Sequence, residues 1–313
     1  MGQGLSTREA YGRVLVELGS SNNDVVVLDA DLTKSTMTYD FFQKFPDRAF
    51  NCGIAEQNMI GIAAGLAASG KTVFASSFAV FATSRCMDQL RLSVAQPGRN
   101  VKIVGTHSGI SVGEDGSSHQ AIEDLALACA LPGFTVVAPA DDFETIQAIR
   151  VSAGVDGPFY IRLSRPRSIT VNREGYRFAL GKAVTLRRGT DVTIIANGLM
   201  VAKALEAADH MKGLVSCRVI NMPTLKPLDK KSIVKAAVDT GAIVTAEEHS
   251  EYGGMFSMVA RVVVSNHPVP MESIAIRDTF AKSGTPEELF KSSGLSSTAI
   301  EEAVQSVILR KKQ

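Results

Sequence analysis

Val25-Val26-Val27-Leu28 is an uninterrupted apolar run that gives way to a polar loop, Asp29-Ala30-Asp31-Leu32-Thr33-Lys34-Ser35. Apolar residues in succession, without the alternation of a half-exposed strand, predict a strand covered on both faces. Upstream, Ser6-Thr7-Arg8-Glu9 has capping-box spacing and opens a helix through Leu18. Downstream, similar runs recur at 101–105, 134–138 and 159–163. Helical stretches lie among them at Ile54 to Ser69, Thr83 to Val94, Ile122 to Ala130 and Phe143 to Ala153. Strands alternating with helices predict an α/β domain with a mainly parallel sheet. Residues 166–189 carry charge and little periodicity, and read as a crossover. A second alternating set follows, with strands at Asp191 to Ala196, Cys217 to Asn221, Ala242 to Ala246 and Met271 to Ile276. Its helices are Val201 to Met211, Lys230 to Asp239, Met255 to Asn266 and Ser297 to Lys311. The expected fold is two consecutive open, mainly parallel α/β domains, residues 1–168 and 189–313, joined by a linker at 169–188.

Composition narrows the function. Among 313 residues 45% are hydrophobic and the net charge is +1, with no run of like charges. That argues against a nucleic-acid or membrane-surface role, since both usually need a basic patch. No apolar run reaches the length of a membrane span, and Met1-Gly2-Gln3-Gly4 does not read as a signal peptide. The four cysteines, Cys52, Cys86, Cys129 and Cys217, are scattered without metal-ligand spacing. Free thiols, no metal held by this chain and a cytoplasmic location are the expectations.

The segment Gly53-Ile54-Ala55-Glu56-Gln57-Asn58-Met59 places a carboxylate at the start of a helix built almost wholly of small residues, Gly61 to Ala68. So little bulk lets another backbone or a flat ligand approach closely. The simpler reading of Glu56 is an acid favoured by the helix macrodipole. Other polar clusters follow predicted strands, where open α/β sheets bind ligands: the 29–35 loop, the loop Thr106 to Gln120, and Ser164-Arg165-Pro166-Arg167. Taken singly, each has an ordinary explanation. His107 and His119 are loop histidines, Asp115-Gly116 suits a turn, Arg165 a solvated cation, and Phe78-x-x-Phe81 a core pair. Their convergence on strand ends of one domain favours a site.

From about Ser6 onward these residues resemble the C-terminal section of transketolase, its pyrimidine-binding domain followed by its small third domain. The loop from Thr106 to Gln120, with its order His, Gly-Glu-Asp-Gly, His-Gln, is the most specific match. Glu56 and its surroundings match a segment shared more widely among thiamine diphosphate enzymes. The resemblance implies that Glu56 hydrogen-bonds N1′ of the cofactor's aminopyrimidine, favouring the imino tautomer that removes the thiazolium C2 proton. It implies that Phe78 and Phe81 line the pyrimidine pocket and that Asp31 is an acid near the cofactor. His107, Asp115 and His119 match residues that contact sugar hydroxyls or assist proton transfer. Arg8, Ser35 and Arg165 match the grip on a distal phosphate.

Departures accompany the match. A third ring common in the family's pocket is replaced by Ser84, and Gly116-Ser117-Ser118-His119 replaces the usual Gly-Pro-Thr-His. The Gly-Asp-Gly motif that begins the family's Mg²⁺ and diphosphate site is absent from the sequence. The resemblance therefore implies half an active site, with Mg²⁺ on a separate N-terminal subunit and an α₂β₂ assembly. The implied reaction is reversible transfer of a two-carbon ketol unit from a ketose phosphate to an aldose phosphate, as in the pentose phosphate pathway. Alternatives are a half of another thiamine diphosphate enzyme and a non-catalytic regulatory partner. The enzyme alternatives are a 2-oxo-acid dehydrogenase β subunit, a 1-deoxyxylulose-5-phosphate synthase-like chain and an unusual-sugar ketolase. In the second domain, Glu247-Glu248-His249-Ser250-Glu251-Tyr252-Gly253-Gly254 reads as a solvated polar loop, and the domain as a contributor to assembly.

Overall fold

The computed structural model describes residues 2–172 and 175–311. The strands of the first part are β1 (Gln3–Ser6), β2 (Val25–Asp29), β3 (Ala49–Asn51), β4 (Thr72–Phe78), β5 (Val101–Thr106), β6 (Thr135–Val137), β7 (Phe159–Arg162) and β8 (Arg167–Ile169). Those of the second are β9 (Val184–Arg187), β10 (Val192–Ala196), β11 (Cys217–Asn221), β12 (Thr224–Lys226), β13 (Ile243–Ser250) and β14 (Met271–Ile276). The first sheet has the order β12-β6-β7-β5-β4-β2-β3 and the second β14-β13-β10-β11-β9. Within each sheet the pairs are parallel except at β12 on β6 and β9 on β11. All five residues of β2 are buried, as its unbroken apolar run predicts.

Some elements differ from expectation. β4 lies between β2 and β5 in the sheet and is buried along its length, although Ser76 and Ser77 interrupt its apolar character. Ser76 is accommodated by Tyr11, whose hydroxyl lies 2.8 Å from Ser76 Oγ. The stretch expected as one helix from Thr83 to Val94 is instead three pieces: Ala79–Thr83, Met87–Gln89, and a wider turn over Leu90–Ala95. The expected crossover, 166–189, holds both β8, which pairs with β1, and β9. The two parts also interlock, because β12 leaves the second to pair antiparallel with β6 of the first. One apolar core accordingly joins Leu125 and Val136 to Met222, Leu225, Ile233 and Val259.

The Glu56–Ala68 helix buries Met59, Ile60, Ala63 and Ala64. Gly61 and Gly65 face outward, where an added Cβ would meet no atom within 4 Å. Ile54 and Ile62 are exposed beside them. Within this chain, then, Gly61 and Gly65 serve no close approach. No helix among the described residues is long and apolar enough to cross a membrane.

Candidate active site

The carboxyl ends of β4 and β5 bring four rings together. Phe78 closes β4, and Phe81 follows within the short Ala79–Thr83 helix, stacked at 5.8 Å between centroids. His107, just beyond β5, stacks on Phe78 at 3.8 Å. His119 meets Phe81 edge-on at 5.2 Å and Phe78 at 6.0 Å. A pair at helical spacing that ordinarily packs a core here forms a wall, with Phe78 buried and Phe81 half-buried. His107 has φ +55°, a left-handed conformation costly for a residue with a side chain. Its Nδ1 shares a 2.9 Å hydrogen bond with Thr106 Oγ1. Burial, then Arg8, Arg165 and His119, push its pKa down to about 3, so the imidazole is neutral near pH 7.

Glu56 is the first residue of its helix, with Ala55 in the capping position, and it is 3% exposed. Its Oε2 accepts from Arg85 Nη1 at 2.9 Å. The same guanidinium lies 4.7 Å above the Phe81 ring, so Arg85 links the acid to the aromatic wall. Arg85 stands four residues after Phe81, and that helical spacing of aromatic and cation was a signal available in the sequence.

Around this wall the remaining candidates fall into separate groups. Arg8 Nη1 donates to the Ser35 carbonyl at 2.7 Å, not to its hydroxyl, while Arg8 Nε is buried with no hydrogen-bond partner among the described residues. Arg165 donates to the Val112 carbonyl and sits 3.6 Å from the Asp115 carboxylate. Asp31, one strand over from Phe78, has φ +64° and pairs with Asn51, whose Nδ2 donates to Asp31 Oδ1 at 2.9 Å. That pairing, rather than the ring cluster, engages its carboxylate. The 29–38 turn is organised by buried Asp29, which accepts from Thr36 Oγ1 at 2.6 Å and Thr38 Oγ1 at 3.0 Å. The sequence departures have visible consequences. Ser84 Oγ points to Glu123 Oε1 at 3.1 Å, whereas Ser118 Oγ lies 2.9 Å from His119 Nδ1 and occupies that nitrogen.

The reading of residues 247–254 as a solvated loop fails for its first part. Glu247, Glu248 and His249 belong to β13 and are buried. Glu247 accepts the Met255 and Phe256 N–H groups at 2.7 and 2.8 Å, capping the helix that follows. Glu248 Oε1 accepts the Ser111 N–H at 2.7 Å, reaching into the loop between His107 and His119. Beside it Arg162 Nε donates to Asp124 at 2.8 Å, and Tyr160 donates to the same carboxylate at 2.6 Å. Asp124 is paired with Arg162, as a charge buried this deeply requires, while Glu248 is held by hydrogen bonding with its pKa pushed up to about 7, chiefly by burial.

The arrangement suits a flat nitrogen heterocycle: an aromatic face stands beside a buried carboxylate paired with an arginine 49% exposed. Among the described residues no group of three or more His, Cys, Asp or Glu could hold a metal ion. The family model of the transketolase pyrimidine binding domain matches residues 3–168, and that of the transketolase C-terminal domain matches residues 181–300. A protein named as a transketolase C-terminal section, from Methanocaldococcus jannaschii, is 46% identical over 94% of this chain and 93% of its own. A 6-deoxy-6-sulfo-D-fructose transketolase subunit from Clostridium sp. (strain MSTE9) is 42% identical over 97% of this chain and 95% of its own. A split-gene transketolase solved as an inactive β4 tetramer superposes with a TM-score of 0.92 at 48% identity, covering 98% of this chain and all of that one.

Proposed function

The chain belongs to the transketolase family, and from that premise we propose that it is the C-terminal subunit of a split transketolase. It completes a site with an N-terminal subunit that holds Mg²⁺ and the diphosphate of thiamine diphosphate, in an α₂β₂ complex in the cytoplasm. The reaction is reversible transfer of a two-carbon ketol unit from a ketose phosphate to an aldose phosphate. The observation that carries this reading is the junction of buried Glu56 with the Phe78, Phe81, His107 and His119 wall. The match to a transketolase C-terminal section over 93% of that protein's own length supports a separate diphosphate-binding chain.

When bound, thiamine diphosphate supplies the nucleophilic carbon that carries the ketol unit. Glu56 holds a proton shared with the pyrimidine N1′, and Phe78 and Phe81 orient that ring while excluding water. Asp31 contributes from the neighbouring strand end. His107, neutral by virtue of its burial, accepts or donates hydrogen bonds to sugar hydroxyls without introducing charge. His119 serves proton transfer, its Nδ1 engaged by Ser118. Asp115 selects hydroxyl configuration, and Arg8, Ser35 and Arg165 grip the distal anion. Residues 1–168 present this half-site, 169–188 form the linker, and 189–313 serve assembly.

The 42% identity to the sulfofructose transketolase subunit favours one second reading, a ketolase for sulfonated sugars. Guanidiniums at Arg8 and Arg165 can donate hydrogen bonds to a sulfonate's oxygens as to a phosphate's. The test is isolation of the chain from its native cells with thiamine diphosphate and Mg²⁺, followed by mass spectrometry and ketol-transfer assays. A stoichiometric partner carrying Gly-Asp-Gly, with turnover of sugar phosphates, is the expected result. Preference for a 6-sulfo sugar would install the second reading. Recovery as a homo-oligomer without turnover would overturn both and favour a non-catalytic role.

A further inference from the structure

We propose that Glu248, from the second domain, is a positioning residue that sets the loop between His107 and His119. The inference rests on the reading of those histidines as sugar-facing, and it gives the second domain a part in substrate binding.

The loop needs an external hold. It contains Gly109, Gly113 and Gly116, all at positive φ, and His107 itself is left-handed. Its regular structure is two short turns, Ile110–Val112 and Ser117–His119, and an isolated bridge from Gly109 to Ala121. Such a segment is held by what it touches, and Glu248 touches its narrow neck. The Ser111 N–H donates to Glu248 Oε1 in a place where both residues are buried, so water cannot take over the bond. Gly109 lies against the same carboxylate: a Cβ there would sit 2.2 Å from Glu248 Oε1. Across the neck, the Gly109 N–H donates to the Ala121 carbonyl at 2.9 Å.

Arg162 ties this neck to the acid's own strand. Its Nη2 donates to the Ala121 carbonyl at 3.2 Å and to the Glu248 carbonyl at 2.8 Å, while its Nε is fixed by Asp124. Farther along, Gln120 Nε2 donates to the Lys282 carbonyl at 3.1 Å, a second hold from the same domain. His107 and His119 sit at the two ends of a segment whose neck is therefore clamped by residues from both domains. Loss of the Glu248 acceptor releases the neck but leaves Phe78, Phe81 and Glu56, which lie on other elements, in place. The consequence falls on the sugar rather than on the cofactor.

The test uses the full chain and its Glu248→Ala and Glu248→Gln variants, first by hydrogen–deuterium exchange. The alanine variant is expected to exchange at least about tenfold faster in peptides spanning 108–120, with β10 and the Phe78–Arg85 peptides unchanged. The glutamine variant, whose amide oxygen still accepts from Ser111, is expected to restore the protection. In the reconstituted complex, Glu248→Ala should raise KM for the sugar phosphate about tenfold and leave the Kd of thiamine diphosphate unaltered. Faster exchange throughout the chain would mean a merely structural role and overturn the proposal. So would an unchanged loop, or a loosened loop with KM unmoved. Should the alanine variant not fold, Gly109→Ala presses on the same carboxylate from the loop side and must reproduce the loosening, failing which the proposal falls. A wild-type complex without ketol transfer would count against the proposed reaction and the sugar-binding role, while the exchange data would still decide whether Glu248 holds the loop.

Discussion

Two ion pairs mark two differently built regions of this molecule. Arg162 and Asp124 meet at the domain junction with side chains 4% and 0% exposed, whereas Arg85 and Glu56 meet at the aromatic wall with 49% and 3%. At the junction a carboxylate oxygen of Asp124 is shared by Arg162 and Tyr160, and the guanidinium also serves two backbone carbonyls. At the wall the acid is buried but its cation is half in solvent. The junction pairs its charges within one chain, with Asp124 Oδ1 left without a hydrogen-bond partner among the described residues; the wall offers a buried acceptor to whatever can displace an arginine. The contrast teaches where this fold places rigidity and where it leaves room for a ligand.

If the wall is where chemistry occurs, the largest effect belongs to Glu56→Gln. It should lower turnover of the assembled enzyme by about 10²–10⁴-fold, the usual share of a positioned proton-transfer group, with the unfolding midpoint nearly unchanged. Steady-state kinetics beside a denaturation curve would check both halves; full turnover would break the assignment of the wall. The junction should respond in the opposite manner. Arg162→Ala leaves Asp124 buried without its cation and should cost roughly 3–5 kcal/mol of stability, measured by urea unfolding. A loss below about 1 kcal/mol would show that the junction depends on its ion pair no more than the wall does.

Much of this contrast was legible in the sequence only on the wall's side. Apolar runs such as Val25 to Leu28 announce buried strands because nothing polar has to be accommodated. β4 escaped because Ser76 and Ser77 break its run, and the bond that makes Ser76 tolerable comes from Tyr11, 65 residues away in the chain. β3, β8 and β12 span three residues each, too few for a periodic signal. Phe78, Phe81, His107 and His119 could be named from the sequence, and the fold does assemble them. Glu248 could not, because a buried acid looks like a surface acid until its distant partners are known. Ser111 lies 137 residues upstream and Arg162 lies 86.

Acid titration should separate the regions with opposite signs. His107 has its pKa pushed from 6.5 down to about 3, chiefly by burial, so the unfolded chain binds its proton more readily. Its contribution therefore makes stability rise with pH between about 3 and 6.5. Glu248 is pushed from 4.5 up to about 7, chiefly by burial, with Arg162 and the Ser111 N–H opposing and Asp124 adding to the rise. Here the folded chain binds the proton more readily, and the contribution is present at low pH and lost as pH rises from about 4.5 through 7. Denaturation of wild type and Glu248→Gln at pH 5 and 7.5 should show the wild type losing more stability, or gaining less, on the way up. Parallel pH dependences would remove Glu248 from the account. An NMR titration of the His107 ring should show no inflection between pH 5 and 8.

The smallest effect is expected at Arg85, and it is the one that most sharpens the contrast. Arg85→Ala removes a pair whose cation is half-exposed, where solvent screening and side-chain entropy hold the net contribution to about 0–1 kcal/mol. The guanidinium also leaves the face of Phe81, a contact of about 0.5–1 kcal/mol at an exposed site. Glu56 is left with its carboxylate open toward solvent on the side Arg85 vacated, so it escapes the penalty that Asp124 would suffer at the junction. Urea unfolding of Arg85→Ala should thus lie close to wild type, several-fold less perturbed than Arg162→Ala in the same buffer. A loss comparable to that of Arg162→Ala would mean that Glu56 depends on Arg85 as a buried acid depends on its only counter-charge. The wall would then be as closed as the junction, and no ligand could take the arginine's place without repaying that loss.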